Sequence, residues 1–577
     1  MNNCAKKVFI LGLDGATFDI IKPLIERGEL ANFRKIIENG VHGTLWSTIP
    51  TVSAPAWTSF ATGKNCGKHS IIGFTKRDKN NGYKIRYLTG NDNKSLALWE
   101  VLSRKGKSVV VINVPMTYPP KKVNGILVSG SDAVTTNACF TYPASFKEEI
   151  FKISNDYKIS LILGGYLSND RRRHKALDMI FSSIEARQKL VLHLLDNAKW
   201  DLFVVKFNNP DTVQHHFWKY MDPTHPYHNP SCDDRLKQAI NSVYKKLDNV
   251  LQSVIDKLDD NTTLIVMSDH GSGQRINKAI YLNEWLRTLC LLSKKDKGKR
   301  DGVFPISDTL YNFIEKVLTV LLKNVPPNIK AKIKKRLPGA VSRATSYFKL
   351  AGIDWDNTKA FVGEVEGIRI NLKGEYPQGQ VDKGKEYEEL REKIIREIMH
   401  LKDPETGEHV IEKAFKREEL YSGPYVEEFP DIMLVTKDNK YDISWKFFRG
   451  KNTTRLGGSF VVKQSHWRGT SGMHRPNGIL IMKGKDIKSG AEITNAGIMD
   501  VFPTVMYQMG LPVPDDVDGK ALTDAFNSEF LKTNTIQYEQ SPDGDKERED
   551  TLLTKDVYSQ EEAAKVKEFL QELGYIE

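Results

Sequence analysis

Three apolar runs in this chain end in acids. KVFILGL (7–13) leads to Asp14, LFVVKF (202–207) leads to NNPDTVQHH with Asp211 and His215, and TLIVMS (263–268) leads to Asp269 and His270. One Asp after a strand is usually a turn former or a helix cap. Three such ends, two with histidine nearby, are hard to explain by turn chemistry. Carboxylates mixed with a few neutral imidazoles form an O/N donor set suited to divalent zinc, manganese or iron. Asp211 and His215 are four apart, so a helix starting there puts both on one face, within reach of one ion. His474, in SGMHRPNGILI, lies in what reads as a loop before another apolar run and would complete a three-ligand set. His216 would point elsewhere on that helix and reads as structural.

A hydroxyl stands in a second stretch, TIPTVSAPAWTSFATGK (48–64). Pro55 suits the first turn of a helix through AWTSFATG, which puts Ser53 at or just before the amino end. Two readings stay open on this segment alone. Ser53 caps the helix, or it is a nucleophile at a helix end that favours anions, with a nearby cation lowering its pKa. Lys64 and Lys68 follow and are candidate substrate contacts, with solvated loop lysines as the alternative.

Positioning these groups takes a sheet. The near-continuous apolar strands at 7–13, 108–114, 202–207 and 263–268 alternate with amphipathic helical patterns. That pattern predicts an α/β fold, a mostly parallel central sheet with helices on both faces, and its ligands belong at the carboxyl ends of the strands. The rhythm changes at 274–357, which reads as a basic helical cap or insertion, with membrane-surface contact through 291–339 as a minor alternative. The sheet pattern resumes near 358, so residues 1–273 and 358–527 are expected to form the core. Residues 528–577 read as an acidic tail, flexible to about Val557, with a terminal helix that Ser559 and Glu562 would open as a capping box. Arg369, Asn371 and Lys373 could touch substrate, but a polar strand edge is the plainer account.

Bulk composition narrows the classes. A chain of 577 residues exceeds one ordinary core. Its formal charge of +11 hides a tail, 528–577, with 13 acidic and 6 basic residues. The basic remainder suits a small anionic substrate, with no nucleic acid expected. Five scattered cysteines without a CxxC pair point to a reducing, cytoplasmic setting. No run approaches a membrane span.

The order Asp14, Ser53, Asp211-x-x-x-His215, Asp269-His270, His474 resembles the alkaline phosphatase superfamily, more narrowly its type I phosphodiesterase/nucleotide pyrophosphatase branch. GIMDVFPTVMYQMGLPVPDDVDGKAL is similar to a segment common after its last ligand. The resemblance implies a two-metal phosphoester hydrolase, with zinc the first choice and manganese or iron the alternatives. It implies one ion on Asp14, Ser53, Asp269 and His270, the other on Asp211, His215 and His474, and a phosphoserine at Ser53. Departures exist: Ala56 and Trp57 replace the Asn-His of the pyrophosphatase Thr-x-Pro-Asn-His pattern, and Trp57 also replaces the Arg of a sulfatase Ser-x-Pro-x-Arg pattern. Phosphomutase, sulfatase and a non-catalytic anion- or membrane-binding protein are the alternatives.

Overall fold

In the computed structural model, alternate side chains of one strand supply two different cores. Phe9, Leu11 and Leu13 of Lys7–Leu13 enter one hydrophobic cluster, while Val8 and Ile10 enter another on the opposite face. That is why the run is apolar at every position rather than at every second one. The structure describes residues 6–572 apart from 79–81, 84, 134, 296–351, 364–366, 448–452, 456–459, 465–469, 542–556 and 559.

Lys7–Leu13 lies between Leu202–Phe207 and Thr262–Met267, parallel to both. Val109–Ile112 and Gly125–Val128 continue the parallel set beyond Leu202–Phe207. Asn477–Lys483 then adds antiparallel to Thr262–Met267, and Val41–Trp46 pairs with its other edge. Among the described residues the sheet has ten strands. Helices cover one face through Phe33, Ile180, Phe217 and Leu247, and the other through Trp57, Phe60, Leu102 and Val505. The fold is therefore α/β with a large, mostly parallel central sheet, as the sequence pattern required.

The region after the Asp269 strand differs from its expected form. The described strands of residues 358–464, which the sequence grouped with the catalytic core, form sheets separate from the large one, one of them with Lys278–Tyr281, and the chain re-enters the large sheet at Asn477–Lys483. Lys278–Tyr281 sits between Asp442–Ser444 and Val461–Gln464, while Gly367–Ile370 and Ile411–Lys416 flank Ile432–Thr436. These strands and the helix Lys385–Met399 share a third core that includes Ile280, Leu286, Ile370, Ile394 and Leu434. Among the described residues, 278–295 and 352–464 are mixed α/β. Most of the expected basic cap, and of the expected membrane-contacting stretch 291–339, lies outside the described residues.

The tail is also more ordered than its composition implies. The helix Ser528–Thr533 buries Phe530 in the second core, and Tyr538–Glu539 pairs with Val513–Pro514. A terminal helix spans Gln560–Glu572, while its expected cap residue Ser559 lies outside the described residues.

Candidate metal and nucleophile site

The parallel strands deliver their acids to one rim. Asp14 follows Leu13 directly, and Gly15 turns the chain at once with φ of +67°. A Cβ at Gly15 would come within 3.1 Å of the Asp211 carboxylate and Ser272 Oγ, so the close approach of these loops needs glycine. Leu202–Phe207 runs into the helix Asn209–Met221, with Pro210 in its first turn. Its pitch places Asp211 and His215 on one face, with His215 Nε2 3.1 Å from Asp211 Oδ1. His216 is buried on the same helix.

His474 lies in a strand, not a loop. Gly472–Arg475 pairs antiparallel with Gly271–Gln274, and His474 stands opposite Ser272. This short ribbon brings His474 against His270, with ring centroids 3.9 Å apart. Its sequence, GMHR, has no apolar alternation, so nothing in the local pattern announced a strand.

Two clusters result. Asp211, His215 and His474 form one, and Asp14, Asp269 and His270 the other; in each set the donor atoms lie within 4.8 Å of one another. Ser53 Oγ sits 3.3 Å from Asp14 Oδ1 and 3.2 Å from His270 Nε2. Ser53 opens the helix Ser53–Thr62 as its first residue, and Val52 holds the cap position. The side chain is therefore not the N-cap.

All three imidazoles are oriented alike. His215 Nδ1 meets Gly472 O at 3.0 Å, His270 Nδ1 meets Gly271 O at 2.9 Å, and His474 Nδ1 meets Thr51 O at 3.0 Å. A carbonyl only accepts, so each Nδ1 carries a proton and donates it. In the neutral rings each Nε2 then presents a lone pair toward the carboxylates. His215 Nε2 and His474 Nε2 are 3.0 Å apart, a contact between two acceptors unless a proton or cation mediates it. Asp211 Oδ1 and Asp269 Oδ2 are buried without a hydrogen-bond partner. This donor set fits divalent cations.

The titration of these groups shows the same conflict. Burial works to raise the Asp211 carboxyl, but the His215 and His474 imidazoles overcome it and hold it well below its ordinary value. Burial and then the Asp14 charge push Asp269 well above the carboxylate range. Burial and the neighbouring His474 push His270 well down. Burial opposes a charge on His474 too, yet the Asp211 carboxylate raises it overall.

One site residue was missed from the sequence. Lys206 stands in the fully buried strand LFVVKF, its Nζ in an ion pair with Asp14 Oδ2 and 5.6 Å from the Trp57 ring. Its signal was legible: a lysine inside an apolar strand needs a partner. Trp57 itself is core. It packs beneath Gly12, where a Cβ would meet the indole at 2.5 Å, and so leaves the pattern of substrate groups altogether.

Other expected contacts fall elsewhere. Lys64 Nζ lies 2.5 Å from Asp516 Oδ2, and Lys68 Nζ lies 2.6 Å from Asp518 Oδ1 and 2.7 Å from Asp516 O. Both are committed to the 516–518 turn rather than joined to the Ser53 cluster. Arg369 donates to the carbonyls of Glu428 and Phe429. Asn371 donates to the carbonyls of Trp355, Thr358 and Gln378. Both are buried framework residues rather than an exposed edge. Lys373 pairs with Asp382 at the surface.

The family model "Type I phosphodiesterase / nucleotide pyrophosphatase" matches residues 8–454. Among solved structures, human ectonucleotide pyrophosphatase/phosphodiesterase 5 is 13% identical, covering 91% of this chain and 100% of its own, with TM-score 0.48. An inactive form of the murine protein in complex with AMP is 12% identical over 90% of this chain and 100% of its own, with TM-score 0.49. Phosphonoacetate hydrolase from Sinorhizobium meliloti, in complex with phosphonoformate, is 13% identical over 88% of this chain and 95% of its own, with TM-score 0.49. No curated protein matches the sequence. With its matched region running from the first strand of the sheet into the inserted part, the chain belongs to the type I phosphodiesterase/nucleotide pyrophosphatase family and is a hydrolytic enzyme.

Proposed function

We propose that the protein is a two-metal-dependent phosphoester hydrolase that works through a phosphorylated Ser53. The observation that carries this reading is a pair of clusters, each of carboxylate and imidazole donors, one of which touches the Ser53 hydroxyl through Asp14 Oδ1 and His270 Nε2. Asp14, Asp269 and His270 with Ser53 would hold one ion, and Asp211, His215 and His474 the other, with zinc the first choice and manganese or iron the alternatives. Ions bound there supply the positive charge that lowers the pKa of the serine hydroxyl and offsets the charge of the phosphoryl oxygens.

The chain's own groups do the rest. Asp14 Oδ1 and His270 Nε2 both lie within hydrogen-bond reach of Ser53 Oγ, whose single proton goes to one of them at a time, so the hydroxyl oxygen sits between the two groups. That geometry fixes the oxygen for in-line attack on phosphorus. The Ser53 Oγ–P bond forms as the P–O bond to the leaving group breaks, and the proton given up by the serine hydroxyl ends on the leaving oxygen. Water then attacks the phosphoserine, releasing phosphate or a phosphate monoester and restoring the hydroxyl. Small anionic phosphoesters are the substrates. A sulfatase role loses support because Trp57, at the position of the sulfatase Arg, lies in the core. A cytoplasmic setting is supported by the free Cys66, Cys139, Cys232 and Cys290. No helix among the described residues is long and apolar enough to cross a membrane.

The test is hydrolysis of p-nitrophenyl phosphate and bis-p-nitrophenyl phosphate by protein of measured metal content. Activity is expected to require metal and to vanish in Ser53→Ala. Fully loaded, folded protein inert on both esters and on a wider phosphoester panel would overturn the reading.

A further inference from the structure

His474 is fixed by two contacts, and both lead to the inserted part. Its Nδ1 donates to Thr51 O at 3.0 Å, and its own carbonyl accepts from Arg475 Nη1 at 2.9 Å. Neither Thr51 nor Arg475 belongs to the inserted part, yet each is braced by it.

Arg475 spreads its guanidinium over three segments. Besides His474 O, Nη1 donates to Asn439 O at 2.8 Å, and Nη2 donates to Gln274 O at 2.5 Å. Gln274 lies on Gly271–Gln274, the strand paired with Gly472–Arg475. Asn439 lies in the turn after Ile432–Thr436, within the inserted part. The side chain crosses Gly273, where a Cβ would meet Arg475 Nε at 2.8 Å. A second arginine repeats the link beside it. Arg275 N–H donates to Ser471 O at 3.1 Å and its Nη1 to Thr470 Oγ1, while its Nε and Nη2 donate to Asp442 Oδ2 at 3.0 and 2.5 Å. Asp442 opens Asp442–Ser444, which pairs with Lys278–Tyr281.

Thr51 is braced from the other side. The Tyr421 hydroxyl, from the inserted part, donates to Ile49 O. Thr48 Oγ1 donates to Pro50 O at 2.9 Å and Thr51 Oγ1 to Thr48 O at 3.3 Å, so residues 48–51 are bonded into one piece. The Tyr421 ring stands edge-on to Phe429, in a small core that joins Met433 of the inserted part to Cys66 and Ile72.

We propose that Arg475 and Tyr421 are positioning residues that tie His474 to the inserted part, which thereby sets the shape of the Asp211, His215, His474 cluster. This rests on the two-metal reading of the same site. Neither residue takes part in the chemical step, and each acts through the His474 imidazole.

The test titrates zinc into the metal-free full chain against a chelating dye, and the ion that His474→Ala loses is assigned to His474. Arg475→Met keeps the stem and removes the fork, and Tyr421→Phe removes one oxygen. In each variant the His474 ion is expected to bind at least about tenfold more weakly, while the other ion changes by less than about threefold. In a His474→Ala background neither substitution should alter the remaining ion, because the imidazole through which it acts is gone. Equal weakening of both ions, an unweakened His474 ion in either variant, or a further loss in the His474→Ala background would each overturn the proposal. If Arg475→Met does not fold, Tyr421→Phe decides it. If the native chain binds fewer than two ions, the two-metal reading fails, and crystal structures of the metal-free native and variant chains decide the positioning. The hydrogen bond from His474 Nδ1 to Thr51 O is expected in the native chain and broken in both variants. Its absence from the native chain, or its survival in either variant, would overturn the proposal.

Discussion

Lys206 and Asp14 divide the labour of one carboxylate: Oδ2 is held by the lysine from inside the sheet, and Oδ1 faces Ser53 and His270. Both side chains are at least 95% buried, so neither charge has water to fall back on. Lys206 sits opposite Gly12 in the parallel ladder and reaches the acid that ends the neighbouring strand. Its role is positional. It fixes the orientation in which Asp14 meets the nucleophile.

Removing one partner of such a pair leaves a buried charge uncompensated. Lys206→Met should therefore lower the stability of the metal-free protein by about 3–5 kcal/mol. Added metal is expected to restore part of that, because an ion near Asp14 replaces the missing positive charge. Thermal unfolding with chelator and with zinc checks this: the metal-induced rise in Tm should be larger in Lys206→Met than in the native protein. Equal rises in both would show that Lys206 is not the cation that balances Asp14.

The two clusters are separable by stoichiometry. Asp211→Asn and His474→Ala each remove a donor from one set and leave Asp14, Asp269 and His270 in place. Elemental analysis should give about two ions per native chain and about one in each variant, with hydrolysis reduced at least a hundredfold. Two ions retained in both variants would show that these residues do not form a metal site.

His69 predicts an acid limit to stability that is independent of the metals. It is fully buried, its Nδ1 accepts from Ile71 N–H at 3.2 Å, and its Nε2 faces Ser59 Oγ at 2.9 Å. Burial, with the Lys64 charge behind it, pushes His69 down to about 3. Unfolding returns it to an ordinary histidine of about 6.5. Between these values the unfolded chain binds a proton that the folded chain refuses, so this stability is complete above pH 6.5 and lost as pH falls toward 3. The loss is on the order of a few kcal/mol. Chemical denaturation between pH 7.5 and 4.5 should show a decline that His69→Gln reduces. Parallel profiles for the two proteins would rule His69 out as the cause.

Much of this was legible in the chain because parallel strands buried on both faces must be apolar throughout. Their acid-terminated ends then stand out, which is how Asp14, Asp211, His215, Asp269 and His270 became candidates. Ser53 needed the others before its hydroxyl meant anything. The misses have physical causes as well. GMHR around His474 pairs as a strand because Gly271–Gln274 offers it an edge, a tertiary cause with no local pattern. The residues after 358 do form strands, but strand pattern does not say which sheet a strand joins. Lys64 and Lys68 were bound by carboxylates some 450 positions away in sequence, which no reading of their own neighbourhood could supply.

Gly472 shows how the site depends on backbone contact as well as on its ligands. The strand that carries His474 lies directly on the His215 helix: Ser471 N–H donates to His215 O, and His215 Nδ1 donates to Gly472 O. A Cβ at position 472 would fall well inside contact distance of the Gln214 carbonyl, which is backbone and has no flexible end to move aside. Gly472→Ala must therefore push the strand off the helix and carry His474 away from Asp211, although no donor is removed. The expected result is the signature of a lost ligand, with about one ion per chain and activity down at least tenfold, in a protein that still folds. Elemental analysis with thermal unfolding checks it. Full occupancy and native activity in Gly472→Ala would show that the ribbon can shift without moving His474.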